Sequence, residues 1–389
     1  MRIKSVRASW VRIPIEPARQ HRSDFGQVQT FDSAILRIET EDGLVGWGEG
    51  KNAAGSAGTY GALVHMLNHE VAPLLVGRNA GDIGPIWDLL YNASRAGSSE
   101  QECHAMPHIA RRGMTVAAIS AVDIALWDIL GKHLGQPVWQ LLGGRKADRL
   151  PAYASGGWAP ADKIGEQLQS YIDAGGFRAV KMRVGSMDGA PHRSAARVRA
   201  ARQALGSDID IMVDAHGTYT VADARRFVAL VSDCDLAWFE EPVIADDKAG
   251  MAEVRASGPV PIAAGESEAT RWDFRDLAVM KAADIFQPDP AFCGGISEAM
   301  RIAGLASAFN LRFAPHLWAG APCFFSGLHL CAAATASFTI EFSLGANPMI
   351  HDLVAEQVRA EDGMIAIPDK PGLGFTVNEQ FLEAHAQAT

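Results

Sequence analysis

Between Ile211 and Phe342 the chain repeats one pattern, a short apolar run that ends in an ionisable residue: IMVDA (211–215), WFEEP (238–242), IAAGE (262–266), IFQPD (285–289), RFAPH (312–316) and FTIEF (338–342). The functional ends are Asp214, Glu240, Glu266, Asp289, His316 and Glu341, at intervals of 26, 26, 23, 27 and 25 residues. A strand, a covering helix and two short loops occupy about that much chain, which is the unit a parallel sheet requires. Upstream, LPAYAS (150–155) and residues 178–184 supply two further runs, and eight strands close a (β/α)8 barrel of the TIM type, an α/β fold. Polar groups at the C-terminal ends of successive barrel strands line its mouth, where such barrels keep their chemistry.

The chain before the barrel reads differently. Residues 1–15, 33–40 and 43–50 have strand character, the last two joined by a turn at Glu41–Gly43, and helical periodicity follows over 60–75, 83–91 and 115–133. Strands followed by helices without alternation predict an N-terminal α+β capping domain over 1–145, ahead of a barrel over 146–350 and a C-terminal segment, 351–389, packed on the capping domain. The polar stretch 16–31, carrying His21, Arg22 and Asp24, predicts a functional loop.

Composition narrows the function classes. With a net charge of −10 and no basic run, the chain offers no phosphate-tracking stripe, so nucleic acid is not an expected partner. An acidic protein that binds an anion needs local cations or a metal to reverse its own field. The N-terminus lacks a signal-peptide core, and no window holds the ~18–20 uninterrupted apolar residues of a membrane span, which predicts a soluble, cytoplasmic protein without membrane contact. Five scattered cysteines without a CxxC pair suit reduced thiols, Cys103 among them.

Asp214, Glu240 and Glu266 close three consecutive strands. Three neighbouring carboxylates repel one another unless a hard divalent cation neutralises them, and all-oxygen ligands favour Mg2+. Within EEP either Glu240 or Glu241 can be the ligand; Glu240 is preferred because it shares a strand face with Trp238. Lys181 and Arg183 alternate on the second strand and reach the same mouth. Asp289 and His316, on the sixth and seventh strands, predict a carboxylate-oriented imidazole acting as base. His216 is either a second acid or a helix cap, and Glu341 would hydrogen-bond a substrate oxygen if its pKa were raised enough to keep a proton. Together these groups predict removal of the proton next to a substrate carboxylate through an enolate.

These residues and their motifs resemble the enolase superfamily, in the mandelate racemase subgroup. The likeness covers GLVGWGEG (43–50) and SAVDIALWDILGKHLGQPVWQLLGG (120–144), then KMR, VDAH, WFEEP, AGES, QPD with CGGISE, and APHLW. It implies a modified, enolase-like barrel, one Mg2+ on Asp214, Glu240 and Glu266, a dyad of His316 with Asp289, and Glu341 as an electrophilic acid. It also implies a mobile lid that contains His21 and Arg22, so these, with Lys181, Arg183 and Trp318 of APHLW, are the expected substrate-binding side chains, and a homo-oligomer is expected by resemblance alone.

The pattern departs from many relatives at two points. Arg183 stands where they carry a basic lysine, and His216 where they carry Asn; arginine stays protonated and is a poor base, so proton removal on that face falls to Lys181 or His216. A racemase needs a base on both faces of the enolate, whereas dehydration needs one base and one acid, and His316 can serve as both if proton and hydroxide leave from the same face. The expectation is therefore a lyase, dehydrating a sugar acid to a 2-keto-3-deoxy acid. The alternatives are an isomerase acting on a sugar-acid lactone, because residues 282–306 are similar to galactarolactone cycloisomerases, or a racemase or epimerase of a 2-hydroxy acid. A barrel that binds without turnover is disfavoured, because every mouth residue is present.

Overall fold

The computed structural model describes residues 1–24, 26–52, 57–93, 111–345 and 347–388. Cys103 falls outside the described residues. Strands β1 (Ile3–Pro14), β4 (Thr30–Thr40) and β5 (Val45–Gly50) form an antiparallel sheet in the order β1-β4-β5. The polar stretch between β1 and β4 is not all loop: β2 (His21–Ser23) and β3 (Gly26–Val28) pair as a small hairpin, and β4 begins earlier than its apolar alternation suggested.

Strand β5 shows how a sequence of alternating glycines builds a two-faced element. Gly46, Gly48 and Gly50 face the Met114–Leu134 helix so closely that a Cβ on any of them would collide with the carbonyl oxygens of Ala125, Ala121 and Ala117 in turn. Successive strand residues point to opposite faces, so Trp47, Glu49 and then Lys51 turn away from that helix, toward the barrel. Gly48→Ala is expected to destabilise the fold by about 1–3 kcal/mol through overpacking, read as a lower denaturant midpoint at unchanged slope. An unchanged midpoint would mean that the helix gives way freely.

By length and composition alone the Met114–Leu134 helix could cross a membrane, although Asp123 and Asp128 interrupt its apolar run. Here it is a core helix, with 78% of its most apolar window buried between β5 and the Gly295–Ala308 helix.

The barrel strands are β6 (Arg149–Gly156), β7 (Ala179–Arg183), β8 (Asp210–Asp214), β9 (Leu236–Glu240), β10 (Ile262–Ala264), β11 (Ile285–Phe286), β12 (Arg312–Phe313) and β13 (Ile340–Ser343). They run parallel in chain order, and β13 returns to β6 in the register Glu341 opposite Tyr153. Between β12 and β13 the ring closes through one bridge, Phe313 to Ser337. Tyr153, Met212, Trp238, Ala263, Ile285 and Ala314 fill the interior as an apolar plug. After the barrel, β14 (Ala360–Glu361) and β15 (Met364–Ala366) form a hairpin, and β15 adds antiparallel to the start of β6. The terminal segment thus touches both parts of the molecule, since Gln387 N also donates to Trp10 O of β1 at 2.7 Å.

Candidate active site

One position above the apolar plug, the same inward alternation delivers charge. Lys181 and Arg183 from β7, Asp214 from β8 and Glu240 from β9 share the inner face, and Glu266 joins them from the turn after β10. That turn needs Gly265, whose φ of +138° and contact with the Phe274 ring exclude a side chain. Asp214, Glu240 and Glu266 each present a carboxylate oxygen within 4.8 Å of the other two. Trp238 Nε1 donates to Glu240 Oε2 at 3.0 Å, which bears out the shared face of Trp238 and Glu240. Glu241 departs from the strand with φ 38°. It too lies near Glu266, in a group with His216, but burial first, and then Glu266, hold its carboxyl well above the usual carboxylate range.

The cations divide these carboxylates among themselves. Lys181 Nζ lies 2.6 Å from Glu240 Oε1, 3.0 Å from Glu341 Oε1 and 3.7 Å from Asp214 Oδ2. Arg183 Nη1 donates to Asp214 Oδ2 at 2.6 Å. Burial opposes charge on Lys181, yet Glu240 and Glu341 outweigh it and hold the ammonium far above its ordinary range.

Two imidazoles flank Glu266. His316 Nδ1 is 2.9 Å from Asp289 Oδ2 and its Nε2 is 3.4 Å from Glu266 Oε2. His216 mirrors this arrangement, with Nδ1 2.8 Å from Asp24 Oδ2 and Nε2 3.1 Å from Glu266 Oε1. Its backbone N–H donates to Asp214 Oδ1 at 2.9 Å from a left-handed φ of 51°, so the ring is turned into the mouth instead of capping a helix. Burial works against charge on His216, but Glu266 and the Asp24 hydrogen bond push it up to about 10. His316 is raised as well: burial and Lys51 oppose its charge, and Glu266 overcomes them.

Three participants were not assigned from sequence. Asp24 stands on the turn of the β2–β3 hairpin. Glu49 accepts from the backbone N–H of Gly320 at 2.8 Å and of Cys323 at 3.2 Å, at the start of the Ala321–Ala333 helix. Lys51 Nζ lies 3.1 Å from Asp289 Oδ2. The available signal was GEGK itself, two opposite charges alternating with glycines on one strand edge.

One expectation is corrected. Glu341 is not a proton-holding acid in this arrangement: burial raises it, but Lys181, His316 and the Leu317 N–H, 2.8 Å from Oε2, hold its carboxyl below the usual range. The side chains of His21 and Arg22 lie outside the described residues. Trp318 is half-buried and packs edge-on against Trp158, ring centroids 5.8 Å apart.

The donor set suits a hard cation. Three carboxylates converge from adjacent strand ends, with no sulfur ligand among them, and both spare oxygens of the trio that reach Trp238 and His216 N are held by donors that fix their orientation.

Comparison with known proteins identifies the family. Residues 6–143 match the mandelate racemase / muconate lactonizing enzyme N-terminal domain, and residues 163–381 match the enolase C-terminal domain-like family. A D-galactarolactone cycloisomerase from Agrobacterium fabrum is 33% identical, over 93% of this chain and 95% of the relative. An arabinonate dehydratase from Saccharolobus solfataricus is 32% identical over 91% of each. The crystal structure of a Streptomyces coelicolor racemase with bound magnesium superposes with a TM-score of 0.86 at 31% identity, covering 99% of this chain and 100% of that one. The chain belongs to the mandelate racemase / muconate lactonizing enzyme family of the enolase superfamily, an N-terminal capping domain joined to an enolase-like barrel.

Proposed function

We propose that the chain dehydrates a sugar acid to a 2-keto-3-deoxy acid with Mg2+ held by Asp214, Glu240 and Glu266. The observation that carries the reading is the pair of carboxylate-backed imidazoles on either side of Glu266. Magnesium in that trio supplies positive charge that acidifies the proton next to the substrate's carboxylate.

The chain's own residues do the rest. His316 Nε2 takes the proton from carbon 2, while Asp289 holds Nδ1 and stabilises the imidazolium that forms. Lys181 and Arg183, both held charged, face the developing enolate oxygens. His216, held through Nδ1 by Asp24, gives a proton to the hydroxyl on carbon 3 as the C–O bond breaks, so water leaves. The enol then takes up a proton at carbon 3 and becomes the keto acid. An acid following β8 and a base following β12 remove the need for His316 to serve both roles.

Cycloisomerisation of a sugar-acid lactone is the second reading, favoured by the Agrobacterium relative. It would share the first proton transfer and lose no water. The discriminating experiment screens mono- and diacid sugars with their lactones in Mg2+ buffer, detecting keto acids as semicarbazones and following the α-proton by NMR in D2O. Dehydration predicts a keto acid with at least one acid and its complete loss in EDTA, restored by Mg2+. Lactone consumed without keto acid would replace dehydration by cycloisomerisation, and turnover that survives EDTA would remove the metal from the reading.

A further inference from the structure

Asp289 is completely buried and accepts from four donors. Oδ1 takes the Ala291 N–H at 2.8 Å and the Cys323 thiol at 3.3 Å; Oδ2 takes His316 Nδ1 at 2.9 Å and Lys51 Nζ at 3.1 Å. Three of these donors belong to the barrel. Lys51 does not: it follows β5 of the capping domain and carries the only full cation of a lysine or arginine that touches Asp289 among the described residues.

Lys51 grips the same turn a second time, its backbone N–H donating to Ala291 O at 2.9 Å. Its side chain is 11% exposed, so the ammonium is committed to this contact and not to solvent. An ammonium placed there has a large desolvation cost, which mere attachment of two domains does not require. The glycines at 46, 48 and 50 set its direction, because they press the strand against the Met114–Leu134 helix and turn the alternate residues toward the barrel.

We propose that Lys51 is a positioning residue, the capping-domain member of a Lys51–Asp289–His316 chain that sets the orientation and tautomer of the His316 ring. The proposal rests on the reading of His316 as the base. By sharing Oδ2 of Asp289 with the imidazole, Lys51 keeps that oxygen aimed at Nδ1, so that Nε2 faces the mouth as acceptor. Partners that orient an active-site group in this way are worth about 10- to 100-fold in activity.

The test compares Lys51→Met, which keeps length without charge, with Lys51→Arg, alone and combined with Asp289→Asn. With the acid found by the screen, Lys51→Met should lower kcat about 10- to 100-fold and leave KM within about 3-fold, while Lys51→Arg recovers most of the loss. On the Asp289→Asn background, Lys51→Met should add less than about 2-fold, because its effect passes through Asp289. Independently of any substrate or metal, long-range 1H–15N spectra of histidine-labelled protein, taken at a pH above the titration of His316, should show its proton on Nδ1 in the wild type and Lys51→Arg, and a mixture of tautomers in Lys51→Met.

Additive losses in the double variant, or an unchanged tautomer pattern in Lys51→Met, overturn the proposal and leave Lys51 as domain glue. Should the screen yield no keto acid while the tautomer shifts as described, the positioning role stands and the dehydratase reading falls.

Discussion

His316→Asn is expected to lower turnover of the cognate acid by about 10²- to 10⁴-fold, the range that a positioned acid or base contributes. The asparagine amide can still donate to Asp289 Oδ2, which keeps the buried carboxylate partnered, but it has no nitrogen that accepts a proton at neutral pH. The loss should therefore fall on kcat and on deuterium incorporation at carbon 2 together, with KM little altered. Thermal unfolding should stay within a few degrees of the parent, since the substituted ring touches Glu266 and Asp289 without belonging to the apolar plug. Turnover reduced less than about 10-fold would move proton removal to another group, with His216 the next to test.

Lys181→Met carries the second large effect, and it is one of stability. Its ammonium is 5% exposed and lies among Glu240, Glu341 and Asp214, three carboxylates that are themselves buried. Breaking a buried ion pair by removing one partner costs about 3–5 kcal/mol, because the remaining charge keeps its desolvation penalty. The sign with pH follows from the shifts. A lysine raised above its unfolded value contributes its stability throughout the neutral range and loses it only as pH climbs through the folded value. Glu341, lowered by Lys181, contributes above its unfolded value and loses that contribution as pH falls toward the folded one. The deficit of Lys181→Met should hence be full at pH 7–9 and shrink on acidification, as the orphaned carboxylates take up protons. Saturating Mg2+ should restore part of it by replacing the missing charge. Denaturant unfolding at pH 8 and pH 4.5, with and without Mg2+, reads all three effects. A deficit below about 1 kcal/mol at pH 8 would mean that the carboxylates do not depend on Lys181.

The barrel was legible because its period is local. Each of the six runs between Ile211 and Phe342 carries its own strand and its own polar end, so a one-dimensional pattern is enough to place Asp214, Glu240, Glu266, Asp289, His316 and Glu341 around a ring. Lys181 and Arg183 followed from alternation within a single strand. Helices of the capping domain were legible for the same reason, within a residue or two of their ends.

What escaped were partners supplied across the chain. Asp24 meets His216 over 192 residues, and Lys51 meets Asp289 over 238. No spacing in the sequence encodes such pairs, which depend on how the capping domain docks. The state of Glu341 escaped for a related reason: its environment is set by Lys181 on β7, two strands away around the ring but far away in the chain, and burial alone would have given the wrong sign.

The contacts that Glu49 and Lys51 make with the barrel bear on how this molecule is assembled in time. Their partners, Gly320, Cys323 and Asp289, are among the last parts of the barrel to leave the ribosome, whereas β5 is complete near the start of synthesis. Contacts closing loops of 238 to 274 residues form after local helices and strand pairs, because the closure entropy must be met before they reward it. Until then Lys51 lacks its carboxylate, and Glu49 has only the Ser33 hydroxyl of its own domain as a donor. Secondary structure therefore precedes competence, and the mouth acquires its final dyad only when the two halves of the chain meet.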